Sequence, residues 1–115
     1  ETTGQWNGKK MIKSIDSKQL KSKLESGQVI LIDVRELDEF RIEHIEGAIN
    51  IPLSQFHKIN DIELSGNKIL VMQCRVGARS MRACQLLLEL NFTNEVWNLE
   101  GGIEAWKAQR YKVIK

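Results

Sequence analysis

Apolar and polar positions alternate along this chain in blocks that predict strands and helices in turn. Two continuous apolar runs, Val29–Val34 (VILIDV) and Lys68–Gln73 (KILVMQ), are typical of strands that are buried on both faces. Shorter strands are predicted at Ala48–Ile51, which Pro52 ends, and at Glu95–Leu99. The chain therefore contains the strands of a buried sheet.

Segments between these strands have apolar residues at helical spacing. The strongest helix is predicted over Arg79–Leu90, where apolar residues recur every three or four positions. A helix over Ser17–Ser26 has Asp16 as its N-cap and ends at Gly27. Further helices are predicted over Glu36–His44, over Leu53–Asn60 and after Gly101-Gly102. Buried strands alternating with helices predict an α/β domain whose mainly parallel central sheet is covered by helices on both faces.

Length and composition fit one domain of this kind. A chain of 115 residues that is 42% hydrophobic forms one core rather than two domains. Its two cysteines, Cys74 and Cys84, match no zinc pattern and form at most one disulfide, so we predict neither a metal site nor a cofactor. A net charge of +2 without long charge runs argues against nucleic acid and membrane surfaces as partners, and no apolar stretch is long enough to span a bilayer.

The first ten residues differ in character from the rest. They are polar, include two glycines and do not begin with methionine, which predicts a flexible tail at residues 1–10 before a domain at residues 11–115. We therefore expect an excised domain or a processed product. With no signal peptide in these residues, the cytoplasm is the expected compartment, or the periplasm if the N-terminus is a processed one.

Candidate chemistry is concentrated directly after the second buried strand. There the segment Cys74–Ser80 (CRVGARS) leads into the strongest helix. Ligands of parallel α/β sheets bind beyond the carboxyl ends of strands, and loop N–H groups at a helix N-terminus stabilise anions. With Arg75 and Arg79 nearby, such a setting lowers the pKa of a thiol, so Cys74 is a candidate nucleophile. Cys84 lies in the apolar stripe of the helix and is predicted to be a core residue.

Loop length separates two chemistries. Cysteine phosphatases need an arginine six residues after the cysteine, so that the loop closes around a tetrahedral phosphate. Here Arg79 comes five residues after Cys74, and Ser80 is the sixth. Gly77 supplies the backbone freedom that a tight loop needs. The shorter loop suits a sulfane sulfur carried as Cys–S–S⁻, so a phosphatase or arsenate reductase is the less favoured enzyme.

Four motifs, in this order and at these intervals, resemble the rhodanese-like sulfurtransferase family over about residues 12–113. The motifs are Leu31–Arg35 followed by Glu39-Phe40, then His44–Pro52, Cys74–Ser80 and Gly101–Trp106. The resemblance implies a single rhodanese-like domain with a five-stranded, mainly parallel sheet. It also implies a ping-pong sulfurtransferase.

The resemblance further implies a role for each matched residue. Cys74 would take sulfur from thiosulfate or another persulfide and pass it to a thiophilic acceptor, namely cyanide, a thiol or a protein. Asp33 and Arg35 would brace the loop or the pocket wall, while a surface ion pair with Glu36 or Glu39 is their alternative role. The segment that would bind the persulfide and the oxyanion of the donor is Arg75, Val76, Gly77, Ala78, Arg79 and Ser80. His44 is expected to be structural.

Two details of the motifs bear on substrates and partners. Glu39 stands near the position where two-domain members that prefer thiosulfate carry a basic residue, which disfavours thiosulfate and leaves persulfides as donors. The loop and the GGxxAW ending also resemble rhodanese domains appended to sulfur-carrier adenylyltransferases and those of small stand-alone bacterial proteins. A fused or partner sulfur-trafficking protein is therefore one expected partner. The alternative function is a non-catalytic or regulatory module of such a larger protein.

Overall fold

Strands and helices alternate through residues 4–7, 10–64 and 67–115, which the computed structural model describes. The strands are β1 (Gly4–Asn7), β2 (Lys10–Ile15), β3 (Val29–Asp33), β4 (His44–Ile45), β5 (Ile49–Asn50), β6 (Ile69–Gln73), β7 (Val96–Leu99) and β8 (Val113–Ile114). The helices are α1 (Ser17–Glu25), α2 (Leu37–Ile42), α3 (Ala78–Glu89) and α4 (Gly102–Ala108). A 3-10 segment, Leu53–Asp61, is kinked at Gln55.

Five of the strands form a parallel sheet in the order β2-β7-β6-β3-β5. The predicted α/β class and the five-stranded parallel sheet are thereby confirmed. Strand β1 pairs antiparallel with β2 at one edge, and β4 and β8 form a separate antiparallel pair. β1 falls within the predicted tail, of which residues 1–3 and 8–9 lie outside the described residues, so the domain boundary at residue 11 stays a prediction.

Alternate side chains of the central strands fill two apolar layers, one on each face of the sheet. Ile32 and Met72 lie in the layer that contains α3 and the 3-10 segment, whereas Leu31 lies in the layer beneath α1 and α4. Because successive strand residues point to opposite faces, a continuous apolar run is what a sheet covered on both sides requires. Cys84 lies in the first of these layers, as predicted for a core residue, and Trp106 lies in the second.

Capping and neighbouring strands set the helix ends. The Asp16 side chain accepts the Gln19 N–H, and the Gln19 side chain accepts the Asp16 N–H, so the predicted N-cap is a capping box. Helix α2 ends earlier than predicted because residues 44–45 pair with β8 as strand β4. Helix α3 begins at Ala78, directly after Gly77. Among the described residues, no helix has the length and apolar character needed to cross a membrane.

Candidate active site

The Cys74 thiol lies at the carboxyl end of β6, where the chain turns into α3. Cys74 is buried, with 1% of its surface exposed. The Gly77 N–H donates to Cys74 Sγ at 3.0 Å, and Ser80 Oγ lies 3.3 Å from the same sulfur. Gly77 has a φ of +121°, a conformation that residues with a side chain rarely adopt. The loop therefore folds back over the sulfur with N–H groups directed towards it.

Burial and hydrogen bonding have opposite effects on this thiol. Burial raises the pKa of Cys74, because the thiolate loses its hydration. Hydrogen bonds from the Ser80 hydroxyl and from the N–H groups of Ser80, Gly77 and Val76 outweigh burial, so the pKa of Cys74 lies below its ordinary value. Cys84, a buried residue of α3, has its pKa raised by burial. The two cysteines thus divide into one hydrogen-bonded thiol and one core residue.

Both loop arginines are paired with carboxylates. Arg79 donates twice to Glu39 in α2, from Nη1 to Oε1 at 2.8 Å and from Nη2 to Oε2 at 3.1 Å. The hydrogen bond from Arg79 lowers the pKa of Glu39 to about 2. Arg75 is exposed, and its Nε lies 3.7 Å from Glu104 Oε2. The positive charge expected to stabilise Cys74 is therefore largely compensated, and the loop N–H groups and Ser80 make the contacts with sulfur.

Helix α4 holds the loop from outside. Its first-turn N–H groups donate to loop carbonyls, Ile103 to Cys74 at 2.9 Å and Glu104 to Arg75 at 3.1 Å. The two elements approach so closely that a Cβ on Gly102 would lie 2.5 Å from the Cys74 oxygen. These bonds fix the backbone of the loop directly before Val76 and Gly77, whose N–H groups donate to the sulfur. Gly102, the first residue of α4, permits this approach because it lacks a Cβ.

Two buried polar residues that sequence reasoning missed also support the loop. Gln73 Nε2 donates to the Cys74 carbonyl at 2.9 Å, and Asn98 Nδ2 donates to the Gly77 carbonyl at 3.2 Å. Gln73 is fully buried, and Asn98 is 7% exposed. The available signal was a polar residue inside an otherwise apolar strand, since a buried polar side chain needs a partner.

Asp33 and Arg35 form a buried ion pair with each other. Arg35 Nη2 donates to Asp33 Oδ2 at 2.7 Å, and the side chains are 6% and 0% exposed for Arg35 and Asp33. Arg35 also donates to the Glu43 carbonyl at 2.8 Å, which ties the end of β3 to the end of α2. The alternative surface pair with Glu36 or Glu39 does not form. The pair thus braces the region of α2, the helix that carries Glu39.

His44 makes contacts of the kind expected of a structural residue. Its Nδ1 lies 2.9 Å from the Phe40 carbonyl, and its ring stacks on the Phe40 ring with centroids 3.8 Å apart.

In the described part of the chain, no group of three or more His, Cys, Asp or Glu side chains is placed to hold a metal ion. The site therefore consists of the cysteine loop, its outer supports and the Glu39–Arg79 pair.

Fold and site together define an α/β domain built around a single cysteine loop at the carboxyl edge of a parallel sheet. The sequence model of the Rhodanese-like domain matches residues 16–109, and the chain belongs to this family. It is 35% identical over 105 residues to a sulfurtransferase of Allochromatium vinosum, covering 90% of this chain and 96% of that protein. Against the uncharacterized Bacillus subtilis protein YqhL the identity is 45% over 76 residues, or 66% of this chain and 59% of YqhL.

Other comparisons extend to a longer protein and to solved structures. The chain is 36% identical over 98 residues to MoeZ of Mycobacterium tuberculosis, named a probable adenylyltransferase/sulfurtransferase, and these residues cover 84% of this chain but 25% of MoeZ. A rhodanese-related protein of Thermoplasma volcanium superposes with a TM-score of 0.76 at 31% identity, covering 88% of this chain and 96% of that one. A human single-domain sulfurtransferase superposes with a TM-score of 0.74 at 28% identity, covering 84% of this chain and 96% of that one.

Proposed function

We propose that this domain is a rhodanese-type sulfurtransferase in which Cys74 carries sulfane sulfur as a persulfide. The observation that carries the proposal is the hydrogen-bonded Cys74 sulfur, which accepts from the Gly77 N–H and lies beside the Ser80 hydroxyl in a loop one residue too short for phosphate. Relatives named sulfurtransferase, among them one of matching length, support this reaction class.

Sulfur enters in the first half-reaction. The Cys74 thiolate attacks the sulfane sulfur of a donor R–S–S⁻, the donor S–S bond breaks, and R–S⁻ leaves with the bonding pair while Cys74–S–S⁻ forms. With thiosulfate the leaving group is sulfite. Charge is conserved, so no oxidant or reductant is consumed. The terminal sulfur would lie about 2 Å beyond Sγ, where loop N–H groups stabilise its negative charge.

Sulfur leaves in the second half-reaction. A thiolate, cyanide or a protein thiolate attacks the terminal sulfur, and Cys74 departs as a thiolate. A leaving thiol with a low pKa departs faster, so the hydrogen bonds that lower the pKa of Cys74 assist this step as well. Because Cys74 alternates between thiolate and persulfide, the two half-reactions give ping-pong kinetics.

Charge at the site favours a persulfide over thiosulfate as the donor. Thiosulfate carries two negative charges and a persulfide one. Glu39 compensates the charge of Arg79, and Glu104 lies beside Arg75. Neither arginine of the loop therefore offers an uncompensated cation to a dianion, whereas the backbone N–H groups suit a singly charged sulfur.

One observation favours a second candidate function. Cys74 is 1% exposed, as expected of a thiol that stays idle in a docking or regulatory module. In MoeZ the matching region is a quarter of a longer protein, so such a module would act within, or beside, a sulfur-carrier adenylyltransferase. A lowered pKa of Cys74 and its loop hydrogen bonds favour the catalytic function over this one.

Intact-mass spectrometry tests the proposal. The protein is incubated with thiosulfate and, separately, with glutathione persulfide, and we expect the wild type and Cys84→Ser to gain one sulfur atom while Cys74→Ser gains none. The proposal fails if the wild type gains no sulfur from either donor, or if Cys74→Ser gains as much. An ordinary pKa for Cys74 in that case supports the regulatory module, and hydrolysis of an aryl phosphate that depends on Cys74 supports a phosphatase or arsenate reductase.

A further inference from the structure

The Gly77 carbonyl, at the turn between loop and helix, accepts from three donors. Ser80 Oγ donates at 3.1 Å, Asn98 Nδ2 at 3.2 Å and the Met81 N–H at 3.1 Å. A carbonyl oxygen has two lone pairs, so three donors exceed its full capacity. The Gly77 carbonyl therefore stays bonded when one of the three turns away.

Ser80 has one hydroxyl proton and two acceptors within reach. Its Oγ lies 3.1 Å from the Gly77 oxygen and 3.3 Å from Cys74 Sγ. While Cys74 is a neutral thiol, its S–H donates to Ser80 Oγ, and the hydroxyl donates to Gly77. Once Cys74 has lost its proton to solvent, the sulfur is an acceptor only, and the hydroxyl stabilises it best by turning towards it.

We propose that Asn98 is a positioning residue that allows the Ser80 hydroxyl to turn from the Gly77 carbonyl to the Cys74 sulfur. After the turn, Asn98 and the Met81 N–H still fill both lone pairs of the Gly77 carbonyl, whereas without Asn98 the turn would leave this buried oxygen one hydrogen bond short. Asn98 acts through Ser80 and does not itself contact the sulfur. The inference rests on the proposed function, because the turn matters when Cys74 works as a thiolate.

The asparagine side chain is costly to bury at this position. Asn98 is 7% exposed, and its Oδ1 has no hydrogen-bond partner among the residues described. An unpaired buried acceptor destabilises the folded state. A leucine of similar size would avoid that penalty, and Met72, paired with Asn98 in the sheet, is itself apolar. Stability alone therefore favours an apolar residue at position 98, and the carboxamide serves the loop.

A matched pair of variants tests the proposal. The pH dependence of iodoacetamide alkylation, followed by mass, gives the pKa of Cys74. Loss of one hydrogen bond to the thiolate in Asn98→Leu is expected to raise that pKa by about 0.5 to 1 unit. Asn94→Leu is the control, because Asn94 is 9% exposed and donates to the Lys68 carbonyl at the opposite end of the sheet. The pKa of Cys74 is expected to stay unchanged in this variant.

A double-mutant cycle shows whether the effect passes through Ser80. In a Ser80→Ala background, Asn98→Leu is expected to change the pKa of Cys74 no further. An unchanged pKa in Asn98→Leu overturns the proposal, and so does a shift of the same size in both backgrounds. Asn98→Ala replaces Asn98→Leu if circular dichroism shows that the leucine variant does not fold.

Alkylation uses no sulfur donor, which separates this inference from the proposed function. A wild type that takes up no sulfur, with the expected pKa changes in the variants, overturns the sulfurtransferase and supports the role of Asn98. Sulfur uptake by the wild type, with no change of pKa in Asn98→Leu, overturns the role of Asn98 and supports the sulfurtransferase.

Discussion

Arg79 and Glu39, 40 residues apart in the sequence, are joined at two points by hydrogen bonds of 2.8 and 3.1 Å. The pair links the first turn of α3 to α2. A guanidinium that the sequence places beside the candidate nucleophile Cys74 is thus held by a carboxylate of the same chain. Under the proposed function, we therefore expect the choice of sulfur donor to depend on Glu39 as much as on Arg79.

Removing the charge of Glu39 should improve thiosulfate as a donor. In Glu39→Gln the Arg79 charge is uncompensated, and we expect kcat/KM for thiosulfate to rise about tenfold, the effect of about 1.4 kcal/mol. For a singly charged persulfide the change should be clearly smaller. Steady-state kinetics with both donors measure this. Glu63→Gln, which removes an exposed carboxylate, is the control for net charge, and an equal rise there, or none in Glu39→Gln, contradicts the prediction.

Acid should selectively remove the stability that Glu39 contributes. Its pKa is lowered from 4.5 to about 2, chiefly by the hydrogen bond from Arg79. A carboxyl whose pKa is lower in the folded state contributes stability above its unfolded pKa and loses it as pH falls through the folded one. The free energy of unfolding of the wild type, relative to that of Glu39→Gln, should be constant above pH 4.5 and decrease as the pH falls towards 2. Urea denaturation over a pH series measures it, and a difference that does not vary with pH contradicts the expectation.

Alkaline pH should stabilise the fold through Cys74. Burial raises the pKa of this thiol, but the hydrogen bonds from Ser80 and the loop N–H groups lower it by more than burial raises it. The pKa of Cys74 in the folded protein is therefore below 9.0. Because the folded pKa is the lower one, stability relative to Cys74→Ser should increase as pH rises through the folded pKa and be complete above 9.0. Thermal unfolding at several pH values tests this. Ser80→Ala should reduce the increase, and an increase of the same size there would contradict the assigned cause.

Gly102→Ala should separate α4 from the loop. The added Cβ would lie 2.5 Å from the Cys74 oxygen at a φ of +58°, so we expect a loss of about 3 kcal/mol of stability and about a 100-fold slower sulfur uptake. Gly27→Ala is the control, because Gly27 has a φ of +74° and nothing within 4 Å of its Cβ position. Gly27→Ala should lower the free energy of unfolding by about 1 kcal/mol and leave the rate of sulfur uptake unchanged. Equal effects in the two variants would show that backbone strain alone is responsible.

Replacing one partner of the Asp33–Arg35 pair should lower the free energy of unfolding more than replacing both. Arg35→Leu leaves the fully buried Asp33 carboxylate without its cation, and we expect a loss of about 3 to 5 kcal/mol. The double variant with Asp33→Leu should recover part of that loss, because no unpaired charge remains buried. Urea denaturation of the two single variants and the double variant measures the coupling. If the double variant is as unstable as the sum of the single ones, the pair is not the source of the effect.

Strand positions could be predicted because β3 and β6 are continuous apolar runs, and only a sheet covered on both faces buries such runs. The shape of the loop after Cys74 could also be predicted, because its short sequence contains both the glycine and the helix start that the loop uses. Partners of the charged residues could not be predicted. Whether Arg79 meets a substrate or Glu39 depends on where α2 lies against α3, which no local pattern specifies. Asn98 was missed because a polar residue inside an apolar strand indicates a buried side chain only where the strand is central, and four residues do not show whether a strand is central or at an edge.

Helix α4 supplies the N–H groups that donate to the carbonyls of Cys74 and Arg75. A ribosome synthesises Cys74 before the residues of α4, so the nascent chain contains the cysteine before it contains the helix that shapes its loop. We expect the thiol on such a chain to behave as an ordinary cysteine, since a domain folds as a unit. Under the proposed function, Cys74 would therefore become reactive towards sulfane sulfur only after the whole domain has been synthesised and has folded around it.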